Sequence, residues 1–137
     1  MLEKIDHIGI AVKDLESSIK LYEEALGLKV KMIEEVEEFK VKIAFIPIGE
    51  VMIELLEPLD PKGFLAEFIR KKGEGLHHIA YRVKDIEAAL AKMKSAGIKL
   101  RDEKPRIGGA GAKVAFIEPE SINNVLVELV EREKEIE

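Results

Sequence analysis

The chain of 137 residues contains neither cysteine nor tryptophan, and glutamine and threonine are also missing from it. Without cysteine it forms no disulfides, and it offers no thiolate ligand and no cysteine nucleophile. No apolar run approaches the ~20 residues that a membrane-spanning helix requires, and residues 1–4 lack the apolar stretch of a signal peptide. We therefore expect a cytoplasmic protein that does not bind membranes.

The balance of apolar and charged residues is that of a globular protein. Hydrophobic residues make up 47% of the chain and charged residues 36%, a composition typical of folded rather than disordered proteins. The net charge of −5 argues against a nucleic-acid partner, because phosphate backbones bind basic surfaces. Many charges and few labile residues are also typical of heat-adapted proteins.

Two copies of one sequence pattern make up most of the chain. IDHIGIAVKDLE reappears as LHHIAYRVKDIE, and KIAFI as KVAFI, both at the 71-residue spacing that separates His7 from His78. VMIELLE reappears as VLVELVE at the 74-residue spacing that separates Glu54 from Glu128. Each copy therefore carries one histidine near its start and one glutamate near its end.

Each copy is predicted to fold in the order β-α-β-β-β. For the first copy, the apolar periodicity predicts a strand over 5–12, a helix from Asp14 to Gly27, and strands at about 28–37, 40–48 and 50–57. For the second copy it predicts a strand from Leu76, a helix from Asp85 to Gly97, and strands near 98–102, 112–118 and 123–131. A helix over 62–72 connects the copies, and residues 131–137 are expected to be a solvated end.

These elements predict an α+β fold. We expect two tandem βαβββ modules that form a curved mixed sheet, with the helices outside and a concave metal-binding cleft inside. The whole of residues 1–137 is expected to be a single domain. It comprises a first module at about 4–60, the connecting helix and linker at 61–75, and a second module at about 76–132.

The alternation of side chains along a strand selects the residues of the cleft. Ile8, Ile10 and Val12 form a large apolar face that belongs against the helix, so His7 is predicted to point into the cleft. By the same reasoning His78 faces the cleft, and the adjacent histidine, His77, is a packed core residue.

The last strand of each copy adds a carboxylate in matching register, Glu54 in the first copy and Glu128 in the second. Apolar neighbours flank both, and burying such a carboxylate is costly without a cation or a proton. The combined donors predict one metal site made of His7, Glu54, His78 and Glu128. Two imidazoles and two carboxylates suit Co²⁺, our first expectation, or Mn²⁺, Ni²⁺, Fe²⁺ or Zn²⁺. Taken singly, each residue could instead be a satisfied core histidine or an edge-strand charge.

With these ligand positions, four segments carry a resemblance to a known family: IELLEPL at 53–59, GLHHIAYRV at 75–83, EKPRIGGAG at 103–111 and VLVEL at 125–129. The chain resembles the vicinal oxygen chelate superfamily and, within it, the methylmalonyl-CoA epimerases. The resemblance implies a divalent metal cofactor, an acyl-CoA substrate, a homodimer, and epimerisation through a metal-stabilised enolate.

The resemblance also implies two acid/base groups on opposite faces of the substrate. One falls on Glu128. The other, a glutamate in some members, aligns with Lys42, while Glu54 is the alternative as the repeat mate of Glu128. Lys42 has the strand parity of Ala44 and Ile46, and we expect this face to point into the cleft.

Other features leave alternatives open. Arg82 and Arg106 are candidate contacts for the CoA phosphates. The glycine-rich segment 108–111 is predicted to be a lid or an acyl cradle, or else a plain flexible loop. The rival functions are a glyoxalase I-type lyase, whose family shares the ligand order, and a metal-free binding module of the same fold.

Overall fold

The computed structural model describes residues 1–136 and contains three α-helices and eight strands among them. In chain order they are β1 (Leu2–Ala11), α1 (Leu15–Leu26), β2 (Met32–Val36), β3 (Val41–Ile48), β4 (Val51–Pro58), α2 (Phe64–Lys72), β5 (Gly75–Val83), α3 (Ile86–Ser95), β6 (Arg106–Ile107), β7 (Lys113–Ile117) and β8 (Val127–Glu131). The order confirms the α+β class and the two βαβββ modules, with α2 between them. None of the helices in this described part is long and apolar enough to cross a membrane.

Contacts divide the chain into two compact units. The first unit is His7–His77, and the second combines residues 1–6 with the chain from His78 onward. The chain therefore passes from one unit to the other between Asp6 and His7, and again between His77 and His78.

In the first unit the strands follow the order β2-β3-β4-β1. β1 runs parallel to β4, while β2 and β4 are antiparallel to β3. One face of these strands packs against α1, and the buried residues of this cluster are Val12, Leu15, Ala44, Ile46 and Leu55. The start of α1 is capped twice, because the Ser17 N–H donates to Asp14 (3.2 Å) and the Leu15 N–H donates to Glu57 (2.7 Å).

The second unit repeats this plan with the order β5-β8-β7-β6. β5 is parallel to β8, and β7 is antiparallel to both β6 and β8. The apolar cluster under α3 includes Val83, Ile86, Leu90, Val127 and Leu129. The helix caps are also repeated, since the Ala88 N–H donates to Asp85 (3.1 Å) and the Ile86 N–H donates to Glu131 (2.9 Å).

The prediction of a strand near 98–102 is wrong. Leu100 forms an isolated bridge to Ile117. Beside it the Lys99 carbonyl accepts from the Glu118 N–H (2.9 Å) and the Arg101 N–H donates to the Phe116 carbonyl (2.9 Å), but these bonds do not extend into a strand. Beyond it the Asp102 carboxylate accepts the Phe116 N–H (2.9 Å), so a side chain takes the bond that a backbone carbonyl would accept in a continued ladder. β8 also begins later than expected, because Asn123 and Asn124 adopt left-handed conformations (φ 58° and 60°) that belong to a turn.

Candidate functional site

His7 and Glu54 form a buried pair in the first unit. Gly9 stands opposite Glu54 in the parallel register of β1 and β4, so His7 and Glu54 share the face turned away from α1. The His7 Nδ1 atom lies 3.2 Å from Glu54 Oε2, and each residue is only 3% exposed. Both side chains thus lie on the expected face of the sheet, opposite α1, and their binding of a metal stays a prediction.

His78 and Glu128 form the equivalent pair in the second unit. Ala80 stands opposite Glu128 in the register of β5 and β8, which places His78 and Glu128 on one face, away from α3. The His78 Nε2 atom lies 3.2 Å from Glu128 Oε1, and both residues are buried. Phe116, opposite Glu128 on β7, meets the His78 ring edge to face at 5.5 Å.

Both pairs fit the requirements of a divalent metal ion. Imidazole nitrogen and carboxylate oxygen are donors that borderline metals accept. A separation of 3.2 Å in each pair matches the spacing of adjacent ligands whose bonds to the metal are about 2.1 Å long. Burial removes competing water from each pair, so each unit offers two donors that are already close together.

The first histidine of the His77–His78 doublet, His77, has a structural role, as expected. His77 is buried, and its ring meets Phe68 edge to face at a centroid distance of 4.8 Å and Phe64 at 6.1 Å. Both phenylalanines belong to α2, so the helix above His77 is the connecting helix.

The expectation that Lys42 faces the cleft is wrong. Lys42 stands opposite Glu57 on β4, an odd number of residues from Glu54, and therefore lies on the other face of the sheet. Ala44 and Ile46, which share its parity, pack under α1. The small size of Ala44 accommodates the helix rather than a ligand, and Lys42 does not join the His7–Glu54 pair.

Sequence reasoning missed a charged cluster in the second unit, which we call the Asp6 cluster: Asp6, Arg82, Arg132 and Glu135. The Asp6 carboxylate accepts hydrogen bonds from Arg82 Nε (2.7 Å) and from Arg132 Nε (3.0 Å) and Nη2 (2.9 Å). Arg82 also donates to both carboxylate oxygens of Glu135, at 2.7 and 3.2 Å. In this structure Arg82 therefore binds two carboxylates, and a contact between Arg82 and the CoA phosphates stays a prediction.

The expectation that residues 131–137 are a solvated end is wrong for Glu131 and Arg132, whereas residues 133–135 are exposed as expected. Glu131 caps α3, and the Arg132 side chain is 4% exposed, while Glu137 lies outside the described residues. Comparison of the two copies did not indicate this cluster. The position equivalent to Asp6 is His77 and the position equivalent to Arg82 is Ala11, so the charges are not repeated. The aspartate directly before His7 was the available signal.

The glycine-rich segment 108–111 forms a compact turn. The Gly109 carbonyl accepts a hydrogen bond from Arg132 Nη1 (3.1 Å), and Ala110 and Gly111 take left-handed conformations (φ 57° and 73°). A Cβ at Gly108 would lie 2.9 Å from Val114 Cγ1, so the close approach of β7 requires glycine there. Arg106 is the other candidate contact for CoA. Its Nη1 atom lies 3.5 Å from Asp102 Oδ1, within the distance of an ion pair.

Comparison with known proteins gives these two pairs a family context. Residues 6–116 match the family model described as Glyoxalase/Bleomycin resistance protein/Dioxygenase superfamily. The chain is 43% identical over 130 residues to the uncharacterized protein YqjC of Bacillus subtilis, covering 95% of this chain and 93% of that protein. It is 38% identical over 131 residues to the ethylmalonyl-CoA/methylmalonyl-CoA epimerase of Cereibacter sphaeroides, covering 94% and 98%.

The fold agrees with a solved structure of the same kind. The Streptomyces coelicolor methylmalonyl-CoA epimerase, a variant in complex with 2-nitronate-propionyl-CoA, matches with a TM-score of 0.94 and 34% identity, covering 98% of this chain and all of that one. Both the sequence and the fold are thus shared over nearly the full length. The chain belongs to the glyoxalase/bleomycin resistance protein/dioxygenase superfamily and groups there with methylmalonyl-CoA epimerases, which are isomerases.

Proposed function

We propose that this protein is a metal-dependent methylmalonyl-CoA epimerase that interconverts the 2R and 2S forms of the acyl group. The observation that carries the proposal is the buried His–Glu pair that recurs, with the same 3.2 Å separation, in equivalent strands of both units. Similarity to epimerases over nearly the whole chain supports the substrate class.

We propose that His7, Glu54, His78 and Glu128 together bind one divalent cation. The internal repeat supports this, because each module supplies one imidazole and one carboxylate from matching strand positions. When bound, such an ion supplies Lewis-acid stabilisation for the negative charge that develops on the thioester oxygen. The imidazoles hold the site, and the burial of both pairs excludes water that would weaken this electrostatic effect.

Glu128 is assigned as the base that removes the α-proton. The C–H bond breaks, the proton passes to the Glu128 carboxylate, and the electron pair delocalises into the thioester carbonyl to give an enolate. Inversion requires that a proton return to the opposite face of this planar species. Glu54 is assigned that role as the carboxylate in the equivalent position of the other module, and exchange with solvent resets both groups.

The test is to incubate one epimer of methylmalonyl-CoA with the protein in deuterated water. We expect the opposite epimer to appear with deuterium at the α-carbon. Activity only on the hemithioacetal of methylglyoxal and a thiol would instead identify a glyoxalase-type lyase. Purified protein without bound metal and without either activity would favour the metal-free binding module.

Three expectations from the sequence and the resemblance stay predictions: cobalt as the preferred metal, the homodimer and the cytoplasmic location. Metal analysis after expression with supplemented Co²⁺, Mn²⁺, Ni²⁺ or Zn²⁺, followed by activity measurements, checks the first. Analytical ultracentrifugation checks the second, and cell fractionation of the native host the third.

A further inference from the structure

Phe116 lies beside both members of the His78–Glu128 pair. It stands opposite Glu128 in the antiparallel register of β7 and β8. Its ring meets the His78 imidazole edge to face, with the ring centroids 5.5 Å apart and the planes at 84°. Both Phe116 and His78 are buried. Because side chains in a close-packed interior restrict each other's rotation, the position of the Phe116 ring influences the orientation of the imidazole.

The backbone of Phe116 determines how its ring is presented to the pair. The Phe116 N–H donates to the Asp102 carboxylate (2.9 Å), and the Phe116 carbonyl accepts from the N–H groups of Arg101 (2.9 Å) and Asp102 (3.1 Å). Both backbone groups of Phe116 therefore point away from β8, so Phe116 and Glu128 oppose each other without hydrogen bonds between them. In such pairs the Cα atoms are only about 4.5 Å apart and the side chains lie close together.

A side chain completes the edge of the sheet at this point. The edge strand β6 comprises only Arg106–Ile107, and it pairs with β7 on the N-terminal side of Phe116. Asp102 bridges the remaining edge, since its Oδ2 accepts the Phe116 N–H while its Oδ1 lies 3.5 Å from Arg106 Nη1. The equivalent phenylalanine of the first unit, Phe45, is held instead by the regular ladder of β2 and β3. The second unit thus uses one carboxylate where the first unit uses a strand.

We propose that Asp102 is a positioning residue of the candidate metal site, which holds the His78 imidazole in its ligand orientation through Phe116. The inference rests on the proposed function, because it takes His78 as a ligand of the metal. The Asp102 side chain is 12% exposed, so water competes little for its hydrogen bond to the Phe116 N–H. Residues that orient a metal-bound histidine commonly change metal affinity by about 10- to 100-fold.

The central variant is Asp102→Ala, measured as the dissociation constant for Co²⁺ in competition with a chelator. We expect Co²⁺ binding to weaken by about tenfold, the lower end of such effects, because Asp102 acts through a second residue. Asp102→Asn keeps a carbonyl oxygen for the Phe116 N–H and loses only a weak ion pair with Arg106, so its affinity should stay within about twofold of wild type. Phe116→Leu removes the ring and tests the other end of the same contact, with an expected loss of similar size to that in Asp102→Ala.

Asp85→Ala is the matched control for a purely structural effect. It also removes a hydrogen bond between a carboxylate and a backbone N–H of the second unit (3.1 Å), at the start of α3 and on the other face of the sheet from His78. The control should lose stability, as Asp102→Ala does, but keep the Co²⁺ affinity of wild type. Equal affinities in wild type, Asp102→Ala and Asp85→Ala would overturn the proposal, as would an equal loss in both variants. Unchanged affinity in Phe116→Leu would also overturn it, and this variant decides the matter if Asp102→Ala does not fold.

Nuclear Overhauser effects between the ring protons of Phe116 and His78 give a readout in the metal-free protein. They should be strong in wild type, Asp102→Asn and Asp85→Ala, and much weaker in Asp102→Ala. If that pattern appears but the wild type binds no Co²⁺ and shows no epimerase activity, the proposed function fails and the positioning of His78 by Asp102 stands. If the wild type is an epimerase but the effects are as strong in Asp102→Ala as in wild type, the positioning role is wrong.

Discussion

The two His–Glu pairs are alike in their geometry and differ in what surrounds them. Both have a separation of 3.2 Å, and a phenylalanine stands opposite each glutamate, Phe45 in the first unit and Phe116 in the second. The neighbours on the N-terminal side of the histidines differ, since Asp6 binds two arginines while His77 packs against the phenylalanines of α2.

The two copies thus share the His–Glu pairs and the residues that cap the helices. They differ in the residues that surround the histidines. The retained residues include the helix caps Asp14 and Asp85 and the carboxylates Glu57 and Glu131. The divergent layer is apolar around His77 and charged around Asp6.

The largest predicted effect separates the roles of the two glutamates. In Glu128→Gln, epimerisation should fall by about 10²- to 10⁴-fold, the usual contribution of a general base. The α-proton exchange of the epimer that Glu128 deprotonates should fall equally, while the other epimer should still exchange through Glu54. In Glu54→Gln, exchange of the α-proton of one epimer should continue while epimerisation is lost, because only reprotonation on the opposite face is removed. Proton NMR in deuterated water, with chiral analysis of the thioester, measures both quantities. Equal losses of exchange and epimerisation in Glu54→Gln would contradict the assignment.

The divergent positions should differ strongly in stability. Asp6→Ala leaves two largely buried guanidinium groups without their shared carboxylate, and we expect a loss of about 3–5 kcal/mol in the free energy of unfolding. His77→Leu replaces one packed side chain by another of similar size and should cost less than about 1.5 kcal/mol. Denaturation in guanidinium chloride measures both variants, and losses of the same size would refute the difference between the two flanks.

A smaller effect is expected at the glycine-rich turn, whose counterpart in the first module, residues 37–40, contains no glycine. Gly108→Ala places a Cβ against Val114 and should destabilise the protein by about 1–3 kcal/mol. Val114→Ala removes the obstructing methyl groups, so the double variant should be more stable than the sum of the single changes predicts. Strict additivity of the two unfolding free energies would show that the contact does not matter.

The smallest effects are expected to be equal in the two modules. Asp14→Ala and Asp85→Ala each remove one N-cap hydrogen bond, and each should lower the free energy of unfolding by about 1 kcal/mol. Matching values from thermal or chemical denaturation would confirm that capping was retained equally. A difference of more than about 1 kcal/mol would show that the modules have diverged at their helices as well.

The sequence predicted those features of the fold and of the candidate site that depend on a single strand or helix. Strand parity correctly oriented His7, His78, Glu54 and Glu128, because the alternation of side chains is a property of each strand alone. The same reasoning failed for Lys42, since parity groups residues into faces but does not say which face the helix covers. Ala44 and Ile46, which share the parity of Lys42, pack under α1.

The Asp6 cluster could not be predicted, because its members are brought together only by strand neighbours distant in sequence. Asp6 and Arg132 are 126 residues apart, and the repeat gives no warning, since their equivalents are His77 and Pro58. The missing strand near 98–102 has a similar origin, because a single side chain, Asp102, took the place of a backbone partner.

The most direct test of the central claim is the number of metal ions bound per chain. Metal analysis of the purified protein, repeated for His7→Ala and for His78→Ala, should give about one divalent ion per wild-type chain, since four ligands serve one ion. Either substitution alone should greatly reduce that binding. Two ions per chain, one lost with each histidine, would show that the His–Glu pairs are separate sites, and would contradict the account.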